Sequence, residues 1–191
     1  MCRQQCGRLT IAQRVLRRWS CSCAPSSLAF PDTRLEALLG PIAFAPGPQI
    51  LVWAALTRLV ESDAGLRRTV GALSKRPIHD WWNTWSEEDR IHARELFKTM
   101  GSGAGFVNDL RQGRSDRRAY RRLFQARVSC ATLVTASRDD AGVAFAHAED
   151  FARTIPTATL VEVGAPSHLF WIGPERAQVQ EAVSAFITAT T

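Results

Sequence analysis

The stretch from about residue 128 to the C-terminus constrains the fold most. Ala131 to Ala136 is a short apolar run rich in β-branched residues, and Thr157 to Val163 is a similar run containing Leu160, Val161 and Val163. Between them, residues 143–154 place Ala144, Phe145, Ala148, Phe151 and Ala152 on one side of a helix. After the second run, Pro174 is suited to the first turn of another helix, along which Val179, Val183, Phe186 and Ile187 recur. The order is therefore strand, helix, strand, helix. Runs of this kind with few charges suit a mainly parallel sheet covered by helices on both faces, an α/β fold.

The rest of the chain divides around this segment. With 191 residues there is room for one substantial core, and three regions are expected: an Arg- and Cys-rich, divergent or disordered N-terminal segment (1–36), a mostly helical region (37–127) and the α/β segment (128–191). Five of the six excess positive charges fall in residues 1–18, at Arg3, Arg8, Arg14, Arg17 and Arg18, so the body of the protein is nearly neutral and no nucleic-acid partner is expected. Cys2, Cys6, Cys21 and Cys23 lack the two-residue spacing of structural zinc pairs, and neither a metal nor a cofactor is expected. The odd cysteine, Cys130, beside an apolar run favours a reducing, cytoplasmic compartment. Arginines interrupt any signal-peptide core, and prolines and glycines break the uncharged stretch 37–57, so no membrane span is expected.

Within the helical region, Leu51, Ala54, Ala55 and Leu59 are spaced for one face of a first helix, and Leu66, Val70 and Leu73 for one face of a second. Thr84 or Ser86 can cap a third, with Glu87, Glu88 and Asp89 in its first turns and Gly101 and Gly103 beyond its end. Tyr120, Leu123 and Phe124 mark a fourth among arginines, whose basic side reads as a solvated face. Trp53, Trp81, Trp82 and Trp85 suit either ordinary helix packing or the apolar roof of a binding site. Residues 41–45 are a candidate third strand.

Chemistry in an open parallel sheet gathers beyond the carboxyl ends of its strands. There the first run is followed by Ser137-Arg138-Asp139-Asp140 and the second by Gly164-Ala165-Pro166-Ser167-His168. Adjacent parallel strands would set the loops side by side, so that a carboxylate could accept the Nδ1 proton of His168 and leave Nε2 as a general base. Asp139 or Asp140 can fill that role, the competing use being to cap the next helix. His79, His92 and His147 have less suitable surroundings.

These residues carry a resemblance. The segment 128–189 resembles the C-terminal end of the α/β-hydrolase fold, in particular small esterase-like and lipase-like hydrolases that use no cofactor. A Gly-x-x-Asp-like turn carrying the acid is matched by Ala136-Ser137-Arg138-Asp139, and a Gly-His loop carrying the base by Ser167-His168, with Ala136 and Ser167 in place of the usual glycines. The resemblance implies Asp139 and His168 as catalytic residues, a helical cap over about 46–127 and an incomplete form of the fold, because the nucleophile elbow Gly-x-Ser-x-Gly occurs nowhere in the sequence. Gly101-Ser102-Gly103 follows a helix and lacks the strand that an elbow needs, and Ser20, Ser22, Ser26 and Ser27 lack the elbow context. A truncated hydrolase sequence is the simplest expectation: the acid-base half of a serine hydrolase for a small apolar, ester-like substrate, active if a nucleophile is available. The alternative is a catalytically inactive fragment or small interaction protein, self-associating through an incomplete sheet.

Overall fold

The computed structural model describes residues 19–21, 26–28, 30, 40, 42–45, 47–101, 107–108 and 114–189. Its centre is a three-stranded parallel sheet of β1 (Trp19–Cys21), β2 (Thr132–Ala136) and β3 (Ala158–Glu162), in that order, with Thr132 opposite both Trp19 and Ala158. The third strand is thus Trp19–Cys21, in a segment that sequence alone placed outside the core. Of the candidate strand 41–45, Pro41 lies outside the described residues and 42–45 are not a strand: Gly40, Ile42 and Ala43 are helical, and the amide of Phe44 donates to the carbonyl of Gly40 at 2.9 Å.

Between β1 and β2 come α1 (Pro48–Val60), α2 (Asp63–Gly71), two 3₁₀ turns (Ile78–Asp80 and Trp82–Thr84), α3 (Glu87–Thr99), a further 3₁₀ turn (Ser115–Arg117) and α4 (Arg118–Gln125). After β2 and β3 come α5 (Phe145–Thr154) and α6 (Arg176–Ala189). Parallel pairing requires a crossover, and α5 supplies the one between β2 and β3.

β2 is the buried central strand. Val134 and Ala136 pack with Ala148, Phe151 and Ile155 of the α5 side, joined by Ala158 and Leu160 of β3. Val163, Ala165 and Phe170 form a further cluster with Val179 of α6. β3 is an edge strand with every residue half-buried or exposed, and α6 buries none of its residues completely.

The helical region has its own core. Val60, Leu66, Val70, Ala93 and Phe97 meet Trp81, Trp82 and Trp85, and Leu169 and Ile172 from the loop after β3 complete the cluster. The tryptophans are therefore packing residues. Gly65 lets α1 and α2 meet, since a Cβ there would lie 1.9 Å from the carbonyl oxygen of Leu59. At Gly173 φ is +92° and a Cβ would lie 2.5 Å from the Trp85 indole nitrogen, so both conformation and space exclude a side chain. α1 turns the opposite way from the expected one: Leu51 (74% exposed), Ala54, Ala55 and Leu59 face outward, while Leu56 and Val60 join the core. The apolar residues of α4, Tyr120, Leu123 and Phe124, are likewise exposed. Its Arg121 turns inward, donating to the carbonyls of Ser26 at 2.7 Å and Leu28 at 2.6 Å.

Candidate active site

The loops after β2 and β3 lie side by side at the carboxyl edge of the sheet, and local hydrogen bonds shape both. Ser137, the first residue beyond β2, donates through its hydroxyl to the carbonyl of Ala165 in the other loop and accepts from the amide of Asp139 at 3.1 Å. The amide of Asp140 then reaches back to the Ser137 carbonyl at 3.4 Å. In the second loop the buried Ser167 hydroxyl accepts from the amide of Leu169 at 3.2 Å, closing a turn around His168.

The carboxylate on His168 belongs to Asp140. Its Oδ2 lies 2.8 Å from His168 Nδ1, while Oδ1 accepts from the amides of Gly142 at 2.7 Å and Val143 at 2.8 Å. Both oxygens are thus occupied on an almost wholly buried side chain, whereas the imidazole keeps 18% of its surface exposed. Loop amides and imidazole share one carboxylate: Asp140 closes the turn through Gly142 and Val143 and does not cap α5, whose N-cap Ala144 has no side-chain cap bond. Asp139 does not make this contact. It is half-buried, its main-chain amide and carbonyl are tied to Ser137 and Lys75, and no bond joins its carboxylate to His168. The Gly-x-x-Asp pattern falls one residue later than the motif suggested, with Ser137 in the glycine place and Asp140 three residues on. The signal that could have shown this register is the end of the strand: Ala136 is its last paired residue, so the turn starts at Ser137.

Gly142 and Trp171 flank the imidazole. A Cβ on Gly142 would lie 3.1 Å from both Cγ and Nδ1 of His168, and the Trp171 ring stands edge-on with its centroid 5.9 Å away. With Nδ1 donating to Asp140, Nε2 is the nitrogen left to accept a proton. No serine, cysteine or threonine among the described residues is bonded to it, and Ser102 lies outside them.

A second buried Ser, His and Asp cluster is present but is tied up in packing. The amide of Ser26 donates to His147 Nδ1 at 3.0 Å, the Ser26 hydroxyl lies 3.2 Å from the same nitrogen, and the amide and hydroxyl of Ser27 both donate to Asp150. All four residues are 2% exposed or less. Burial of Asp150 opposes ionisation, but the hydrogen bonds from Ser27 and Ser26 and the contact with Arg153 outweigh it and hold the carboxyl below its ordinary range. The cluster fastens the segment after β1 to α5. No group of three or more metal-binding side chains occurs among the described residues, and no helix there is long and apolar enough to cross a membrane.

Helices on both faces of a small parallel sheet, with an Asp–His pair at its carboxyl edge and a helical region inserted before the last two strands, make this an incomplete α/β-hydrolase-like fold with a cap region. Comparison with a solved structure gives the same fold. An α/β-hydrolase fold protein from Nakamurella multipartita superposes with a TM-score of 0.58 at 21% identity, over 89% of this chain and 60% of that one. A hydrolase from Oleispira antarctica gives 0.42 at 13% identity, over 86% of this chain and 55% of that one. In sequence, the chain is 26% identical over 181 residues to YcgS, described as an uncharacterized hydrolase of Bacillus subtilis (strain 168), covering 94% of this chain. It spans 59% of the length of that relative. No family model matches the chain.

Proposed function

We propose that the chain is the acid-base half of a serine hydrolase of the α/β-hydrolase type, with His168 as general base and Asp140 as the acid that orients it. The observation that carries this reading is the 2.8 Å contact between Asp140 Oδ2 and His168 Nδ1 at the ends of adjacent parallel strands. In such a reaction Nε2 takes the proton of a serine hydroxyl as the oxygen attacks an acyl carbon. The imidazolium, held by Asp140, returns the proton to the leaving group, and water then repeats the sequence to release the acid. The nucleophile is assigned to a residue outside the described ones. A small apolar, ester-like substrate fits a base set beside the Trp171 ring.

The test is esterase turnover with short-chain aryl esters. The chain as it stands should give no turnover above a His168→Ala control. Joined to upstream sequence carrying a Gly-x-Ser-x-Gly elbow, it should become active, and Asp140→Ala and His168→Ala should each lower kcat by about 10³-fold or more, whereas Asp139→Ala should change it less than tenfold. Loss of activity with Asp139→Ala but not with Asp140→Ala would overturn the assignment. Burst acylation by the chain alone, abolished by Ser102→Ala, would place the nucleophile within it. A second reading, a non-enzymatic chain that self-associates, is favoured by the exposed apolar face of α1.

A further inference from the structure

The cap contributes a short segment to the acid-base pair. Between α2 and the first 3₁₀ turn, residues 73–75 cross both loops of the site. The carbonyl oxygen of Leu73 accepts from the amide of His168 at 2.9 Å and from the amide of Ala141, next to Asp140, at 3.2 Å. One oxygen therefore spends both lone pairs on the two loops and keeps those amide nitrogens within about 6 Å of each other. The Ser74 hydroxyl donates to the carbonyl of Pro166 at 2.5 Å, lies 2.9 Å from the carbonyl of Arg76, and accepts from the amide of Arg76 at 3.0 Å. The amide of Lys75 donates to the carbonyl of Asp139 at 2.8 Å, its ammonium to that of Arg138 at 3.0 Å, and Ser74 and Asp140 form an antiparallel bridge.

At their bases the loops are joined through the Ser137 hydroxyl on Ala165, the amide of Val163 on the carbonyl of Ala136 and Arg138 on Glu162 at 2.9 Å; at their tips the side chains of Asp140 and His168 meet directly. The tips lie farther along each loop, and there the crossing segment supplies the main-chain connection. We infer that residues 73–75 act as a strap that sets the spacing of Asp140 and His168, with Ser74 as its positioning residue, so that the pair is assembled only while the cap is docked. The inference rests on the reading of Asp140 and His168 as acid and base, but the strap is measurable without any turnover.

Hydrogen exchange of the full chain, read by mass spectrometry on peptides covering 137–143 and 164–170, tests it. Ser74→Ala should raise exchange in both peptides together by about tenfold and leave peptides over 145–154 unchanged, because the hydroxyl's bond to Pro166 is lost from the segment whose Leu73 carbonyl holds both loops. Ser74→Thr, which keeps the hydroxyl, should restore the original rates. A change in one peptide alone, an equal change throughout the chain, no change, or an absence of protection in both peptides of the unsubstituted chain would overturn the strap. If the strap responds as expected while Asp140→Ala and His168→Ala leave the activity of the elbow-bearing protein intact, the hydrolase assignment fails and the strap stands.

Discussion

At Gly142 a single methyl group would meet the ring that the glycine now supports. The added Cβ would lie 3.1 Å from His168 Cγ and Nδ1, closer than ordinary contact, and 3.4 Å from Asp140 Oδ1, so the imidazole has to give by a few tenths of an ångström. Gly142→Ala is expected to cost about 1–2 kcal/mol in denaturant unfolding, in the range of overpacked sites. In a His168→Ala background the same substitution should cost close to nothing, since the obstructing ring is gone; a cost unchanged by that background would show that the strain lies elsewhere. The same scale explains which aspartate meets His168. Asp139 and Asp140 are adjacent and chemically alike, and composition and spacing do not separate them. The Ser137 hydroxyl, by receiving the Asp139 amide, fixes the turn in which Asp140 is the residue directed inward.

Among the elements, α3 was the most legible. Ser86 accepts from the amide of Asp89 at 3.1 Å, Asp89 Oδ2 answers to the Ser86 amide at 3.0 Å, and the acidic first turn suits the positive end of the helix dipole. What the sequence did not show is that Asp89 also ties α3 to the loop leading into α6. Its Oδ1 accepts from the amide of Gly173 at 3.2 Å and from Arg176 at 2.6 Å. Burial works against ionisation of this carboxyl, but the bonds from Ser86 and Gly173 and the charge of Arg176 prevail and hold it below its ordinary value of 3.8. A depressed folded-state pKa contributes stability above the unfolded value, and this is lost as pH falls through the folded one; Asp150 adds a contribution of the same sign. Asp89→Asn should therefore cost about 1–3 kcal/mol at pH 6 and clearly less at pH 3, measured as denaturant midpoints at the two pH values. An equal cost at both would mean that shape rather than charge is what Asp89 supplies.

For the whole molecule, the balance between buried and exposed apolar surface decides behaviour in solution. Among the described residues β2 is the buried strand, β3 is a half-buried edge, and α1 presents Ile50 (68% exposed), Leu51 (74%) and Leu59 (43%) to solvent. Apolar patches of this kind promote association. Size-exclusion chromatography with light scattering is expected to give a mass above the 21.1 kDa of one chain, and Leu51→Glu should shift it toward that value. A compact monomer with one sharp unfolding transition would show that these surfaces are covered within the chain.

Sequence by itself determined the strand, helix, strand, helix order of 128–191, the cap and first turn of α3, the inward faces of Leu66 and Val70, and the loops from which an acid and a base emerge. All of these are set by short-range period and local hydrogen bonding. Tertiary structure alone decided the rest. It recruited Trp19–Cys21 as a strand, because a strand of three residues has too little pattern to be recognised without its partner. It turned α1 so that Val60 rather than Leu51 is buried, because a helix apolar on several sides takes its inward face from whatever it packs against. It also placed Asp140 rather than Asp139 on His168 and drew Leu73–Lys75 across both loops, because hydrogen bonds between groups distant in sequence leave no periodic trace along the chain.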